Sequence, residues 1–361
     1  MSAPNLPPRT EGAAASIGMS TPAPAAGPAS GPTAPPAPPS RRGLGQAKQM
    51  VLAFASLIAL IAIFGTLRPE AFLSTDNFIG ILQSTTVIGV LAIASTFIII
   101  TSGIDLSVGV LMTFCSVMAG VFLVNLGLPL PLGVLGAILM GALMGSLSGL
   151  AITVLKVPPF IATLGMMMLL KGLSLIITGT RPIYFSDVEG FEEISLGSLM
   201  GQLIPDLPIP NGVLIFFLVA LAAAVVLNRT ALGRYTFALG SNEEAVRLSG
   251  VNVNRWKVAI YAFSGGICGI AGLLIASRLN SAQPALGQGY ELDAIAAVVI
   301  GGTSLSGGVG TILGTVIGAF IMSVLINGLR ILSVAQEWQM VLTGLIIILA
   351  VYTDNLRRRK G

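Results

Sequence analysis

The chain has 361 residues, of which 54% are hydrophobic and only 9% charged, where a soluble domain carries about a quarter charged residues. Apolar runs of about 20 residues recur along it, which excludes a soluble fold and predicts an all-α, polytopic helical bundle in a membrane. The net charge of +4 is small, and the basic residues gather at the ends of apolar runs, as topology signals do, so nucleic-acid binding finds no support. Histidine is absent, which removes Ser-His-Asp and Cys-His catalysis, histidine-zinc sites and histidine proton relays together. No Gly-x-x-x-x-Gly-Lys-Ser/Thr phosphate loop is present either. If the protein works against a gradient with ATP, another chain must hydrolyse it, and no cofactor or metal is expected in this one.

Residues 1–46 are rich in Pro, Ala and Ser, as in Ala34-Pro35-Pro36-Ala37-Pro38-Pro39, and read as a disordered tail. They lack a signal-peptide cleavage pattern. A membrane domain follows over 47–356, with about ten spans near 49–67, 78–100, 106–126, 131–155, 159–178, 211–228, 258–279, 289–303, 309–330 and 337–353. The eighth is short and Ala/Gly-rich, and is the candidate for a re-entrant segment. Arg41, Arg42 and Lys48 precede the first span. Arg229, Arg234, Arg247, Arg255 and Lys257 fall in a loop over 229–257, and a basic tail over 357–361 closes the chain. With an even number of crossings, the positive-inside rule puts both termini and that loop in the cytoplasm. The opposite loop over 179–210 carries Asp187, Glu189, Glu192, Glu193 and Asp206 against Arg181 alone. Cys115 and Cys268 lie inside apolar runs and read as small buried hydrophobes.

Two interruptions resemble one another. Gly103-Ile104-Asp105-Leu106-Ser107-Val108-Gly109 matches Gly302-Thr303-Ser304-Leu305-Ser306-Gly307-Gly308 in Gly, Leu, Ser and Gly. Paired Gly/Ser breaks in two halves point to broken helices near 101–109 and 289–308, of the kind that flank a midplane transport site. Asp105 is the most conspicuous carboxylate, because an ionisable group among apolar runs is a functional candidate. It can equally cap the helix that starts at Leu106. Ser102, Gln283, Glu291, Asp293 and Asn327 complete a candidate translocation pathway, since a hydroxyl-rich substrate wants amides, hydroxyls and carboxylates. Glu291 and Asp293 also suit the first turn of a helix by its dipole. Asn327 also suits an interhelical contact, and Lys171 a snorkelling role.

The one markedly polar segment between spans is Gly240–Gly250. Ser241 with Glu244 three residues on is a capping-box pattern, and Gly250 stands where a left-handed residue ends a helix. A helix this short is marginal unless it packs on its own protein or on a partner. Ser241, Asn242, Glu243, Glu244, Ala245, Arg247 and Gly250 are its candidate contact residues.

Thr101–Gly109, Phe160-Ile161-Ala162-Thr163-Leu164-Gly165, Leu232-Gly233-Arg234-Tyr235 and the stretch Gly240–Gly310 resemble the membrane subunits of ribose-type sugar ABC importers. The resemblance covers roughly 48–355. It implies a homodimer of permeases, a cytoplasmic ATPase that binds ATP and Mg, and a periplasmic sugar-binding protein, all at a bacterial inner membrane. Residues 241–250 would then be the ATPase-coupling helix. Val246 stands where many importers have a second Ala, and the Ile-x-Leu-Pro of other branches is missing. The cargo implied is a monosaccharide, ribose or another pentose. The alternative is an ion-coupled secondary transporter or facilitator using Asp105 or Asp293. A membrane-embedded enzyme has no nucleophile–base pair to work with.

Overall fold

The computed structural model describes residues 42–203 and 208–359. Residues 1–41 of the tail expected over 1–46, Asp206 and the last two residues lie outside that part. The chain opens with α1 (Arg42–Leu67), α2 (Pro69–Phe72), α3 (Thr75–Ile100) and α4 (Val108–Gly120), the last extended by a π-turn over Val121–Asn125. Then come α5 (Leu130–Thr153), α6 (Pro159–Thr178), β1 (Ile183–Tyr184), a single turn at Glu192–Ile194, α7 (Leu199–Leu203) and α8 (Asn211–Arg229). The rest is α9 (Ala231–Leu248), α10 (Val253–Leu279), β2 (Ser281–Ala282), α11 (Tyr290–Ile300), α12 (Ile312–Ile331) and α13 (Gln336–Arg359). Helix α1 takes in residues 42–46 of the segment read as tail, and α13 takes in 357–359.

In lipid every backbone polar group must be satisfied within its own segment, so apolar runs become helices. Among the described residues, eight helices are long and apolar enough to cross a membrane: α1, α3, α4 with its π-turn, α5, α6, α8, α10 and α12. The other two of the ten expected passages are α11, which is short, and α13, which is apolar over Gln336–Leu349. Burial sorts the spans. In α3, 89% of the spanning window lies inside the protein, against 17% for α1 and 22% for α6. Helix α3 is therefore the hub, packed by α8, α10, α11 and α12, and its Val90–Ala94 run is wholly buried. A helix apolar all round belongs inside.

Helix α5 shows how the outer spans attach. Leu132, Leu135, Leu139 and Leu143 are about half exposed along one face, suited to lipid. The other face carries Gly141, Gly145 and Gly149 against α10, so closely that a Cβ on Gly141 would overlap the Gly265 carbonyl, and one on Gly265 the Gly141 carbonyl. Close backbone approach, rather than exclusion of water, holds helices together in lipid. Cys115 and Cys268 are buried free thiols, as expected.

Long-range contacts define two sides. Ile183 pairs with Ala282 and Tyr184 with Ser281, and Ser277 near the end of α10 donates to the Phe191 carbonyl at 2.8 Å. The 179–210 loop and the end of α10 therefore share one side. On the other, the Gly308 N–H donates to the Ile100 carbonyl at 2.8 Å. Between Ala282 and Gly308 the chain passes from one side to the other as a non-helical stretch followed by α11. The eleven residues of α11 span only about 16 Å. The segment expected near 289–308 is thus a broken passage. Thr113 fastens its non-helical part by donating to the Leu286 carbonyl at 2.7 Å.

Candidate coupling site and pathway

Helix α9 is two helices joined at Asn242, whose backbone is extended (φ −163°, ψ 97°). Thr230 caps the first piece by accepting from the Gly233 N–H. The second piece begins where the Asn242 side-chain oxygen accepts from the Ala245 N–H at 3.0 Å. The cap is therefore Asn242, and the expected Ser241–Glu244 box does not form. Ser241 ends the preceding helix instead, with its Oγ 2.8 Å from where a Cβ on Gly308 would stand. The far end is as expected: Gly250 has φ +82°, and its N–H donates to the Arg247 carbonyl at 3.1 Å.

Only Val246 of this short helix is buried, while Ala245 is exposed and Leu248 is 80% exposed. Its charges are engaged within the chain. Lys257 reaches Glu243 at 2.7 Å from the start of α10, and Arg247 contacts Glu243 at 3.2 Å and Glu244 at 3.7 Å. Such surface pairs add little stability; what they do is orient the helix. Tyr235 and Trp256, with ring centroids 4.3 Å apart, bind the first half of α9 to α10. An apolar face is left uncovered at Ala245 and Leu248.

At the joint between its halves, α9 meets both interruptions of the bundle. Helix α3 ends with the Gly103 N–H on the Ile98 carbonyl and the Ser102 N–H on the Ile99 carbonyl. Helix α11 ends alike, with the Thr303 N–H on the Val298 carbonyl and the Gly302 N–H on the Val299 carbonyl. Both are Schellman caps. The Ser102 hydroxyl donates to the Ser306 carbonyl at 2.8 Å and reaches the Gly240 carbonyl at 3.4 Å. Gly240 lies so close to Ile100 that a Cβ there would overlap the Ile100 carbonyl oxygen and come within 2.6 Å of the Gly308 nitrogen. No residue with a side chain fits that place without displacing a neighbouring chain segment.

The remaining pathway candidates lie on the turn before α4, in the non-helical stretch before α11, on α11 and on α12. Asp105 is buried, and its Oδ1 accepts from the Ser107 N–H at 2.8 Å and the Ser107 hydroxyl at 2.6 Å. It closes the turn before α4, which starts at Val108 rather than Leu106. Glu291 is buried and folds back to accept from the Gly289 N–H at 3.0 Å, so it caps α11. Asp293 is half-buried on the same helix. Gln283 is exposed and donates to Ser281 at 3.4 Å. Asn327 donates to Asn77 at 2.9 Å, which is the interhelical contact between α12 and α3. Sequence reasoning missed two polar contacts on the broken passage and α10. Lys171 donates to Gln288 at 2.8 Å, and Arg278 to the Gln83 carbonyl at 3.4 Å. The one available signal for the first was Gln288 between Gly287 and Gly289, both at positive φ.

The family model described as branched-chain amino acid transport system / permease component matches residues 77–351. The chain is 44% identical to the ribose import permease protein of Haemophilus influenzae, over 84% of this chain and 92% of that one. It is 38% identical to the fructose import permease protein of Rhizobium meliloti, over 87% and 86%. With the xylose transport system permease protein of Escherichia coli it shares 35% over 87% and 93%. No solved structure matches it.

Proposed function

Because this chain belongs to the family of branched-chain amino acid transport system permease components, we propose that it is the membrane subunit of an ATP-binding-cassette importer for a monosaccharide, ribose or another pentose. The observation that carries this reading is the 44% identity, over nearly the whole membrane domain, to a protein named as a ribose import permease. The fructose and xylose relatives keep the cargo class at sugars.

The chain lies in the bacterial inner membrane with both termini and α9 in the cytoplasm, the orientation that the basic clusters favour. A cytoplasmic ATPase, which binds ATP and Mg, seats against the helix over 243–248 and covers Ala245 and Leu248. A second copy of this chain completes the pathway, and a periplasmic sugar-binding protein delivers cargo on the side of the 179–210 loop. Proteoliposomes test the reading. Ribose uptake is expected only when the ATPase, the binding protein and MgATP are all supplied. Accumulation by this chain alone, driven by a pH gradient, would overturn it.

A further inference from the structure

Ser102 holds a backbone conformation (φ +64°) that costs a residue with a side chain about 1 kcal/mol or more, whereas the matching place after α11 is filled by Gly302 (φ +91°). The expensive residue is the one whose side chain makes a tie: its hydroxyl spans from the end of α3 to Ser306, and toward Gly240. Gly240 in turn leaves no space between α9, the Ile100 carbonyl and Gly308. Three segments far apart in the chain are thus joined at one point. That point lies at Gly240 and Ser241, immediately before the kink at Asn242 that starts the exposed helix. Ser102 and Ser306 are both exposed, so the tie adds little to the core and could be replaced by water without cost to packing.

We propose that Ser102 and Gly240 are positioning residues of the transport cycle: they clamp the end of the full span α3 and the 301–308 turn of the broken passage to α9, so that displacement of the exposed helix moves both together. This rests on the reading of that helix as the ATPase seat. In such a joint, the work delivered at 243–248 reaches the hub helix and the broken passage through two contacts, a hydroxyl–carbonyl bond and a backbone packed against a glycine. Loosening the first leaves the fold intact and lets the ATPase run ahead of transport.

The test uses the full chain reconstituted with its ATPase and binding protein, and reads sugar moved per ATP hydrolysed. Ser102→Gly removes the hydroxyl while keeping the left-handed backbone that glycine adopts freely. The ratio is expected to fall about two- to tenfold, the range for one hydrogen bond lost from a working state, with ATPase binding and yield of folded permease unchanged. A merely structural role would lower yield and leave the ratio alone. Gly240→Ala is expected to lower the ratio further; where that variant fails to fold, Ser102→Gly decides. A wild-type ratio in Ser102→Gly overturns the clamp. Failure of the unsubstituted permease to bind the ATPase overturns instead the reading beneath it, and the two failures are separate measurements.

Discussion

The turn after α3 and the turn after α11 close their helices with the same pair of backbone hydrogen bonds, yet Ser102 holds the left-handed position in one and Gly302 in the other. The first turn is braced by side chains: Asp105 takes both Ser107 donors, and Thr163 bridges the Ile104 carbonyl and the Leu106 N–H. The second runs through backbone bonds from Gly307 to Ser304 and from Ser304 to Val309, with Gly307 and Gly308 at positive φ. A carboxylate and two hydroxyls fix one turn to its own helix and to α6. The glycines of the other let a neighbouring backbone come close. The same cap therefore serves a turn braced by a carboxylate and hydroxyls and a turn closed through glycines, and α9 touches both.

The largest expected effect comes from filling the space where they meet. Gly240→Ala drives a methyl into the Ile100 carbonyl, and overpacking of this kind costs about 1–3 kcal/mol. Thermal melting in detergent and uptake are expected to fall together. On the braced turn, Asp105→Ala leaves the Ser107 donors without an acceptor in a buried place, at about 1–3 kcal/mol. Asp105→Asn keeps an oxygen at Oδ1 and is expected to cost less than half as much. Uptake abolished in a fully stable Asp105→Asn protein would make Asp105 a cargo contact instead of a brace.

Smaller effects sharpen the contrast. Asn242→Ala removes the observed cap and is expected to cost about 1 kcal/mol, while Ser241→Ala costs almost nothing; equal losses would restore the Ser241 box. Exchange of the left-handed residues gives the smallest and most diagnostic pair. Gly302→Ser is expected to destabilise by about 1 kcal/mol, and Ser102→Gly to change stability by no more than about 0.5 kcal/mol, both read as melting shifts. In Ser102→Gly, relief of the left-handed backbone is offset by loss of the Ser306 hydrogen bond. A Ser102→Gly loss as large as that of Gly302→Ser would contradict the offset.

The membrane class and the long spans were legible in the sequence because an apolar run in lipid has one way to satisfy its backbone. Gly250 was legible for a similar reason, as helix ends have few solutions. The cap at the other end was misread because Ser241 and Asn242 are both good caps, and local spacing does not say where the preceding helix stops. That helix, Ala231 to Ser241, hid in a segment too polar to count as a span. Asn327 followed its plainer reading, as interhelical contact, whereas Asp105 braces the turn before α4 instead of capping a helix at Leu106. The meeting of Ile100, Ser102, Gly240 and Gly308 had no local signature at all, since each contact joins segments more than sixty positions apart.

The claim that energy enters through the exposed end of α9 is tested most directly by the affinity of the partner ATPase for the permease in detergent. Leu248, 80% exposed, supports no part of the fold, so Leu248→Asp is expected to leave melting unchanged. A charge set into an apolar contact should weaken ATPase binding at least tenfold, and uptake should fall with it. Undiminished ATPase affinity in a normally folded Leu248→Asp permease would contradict the account.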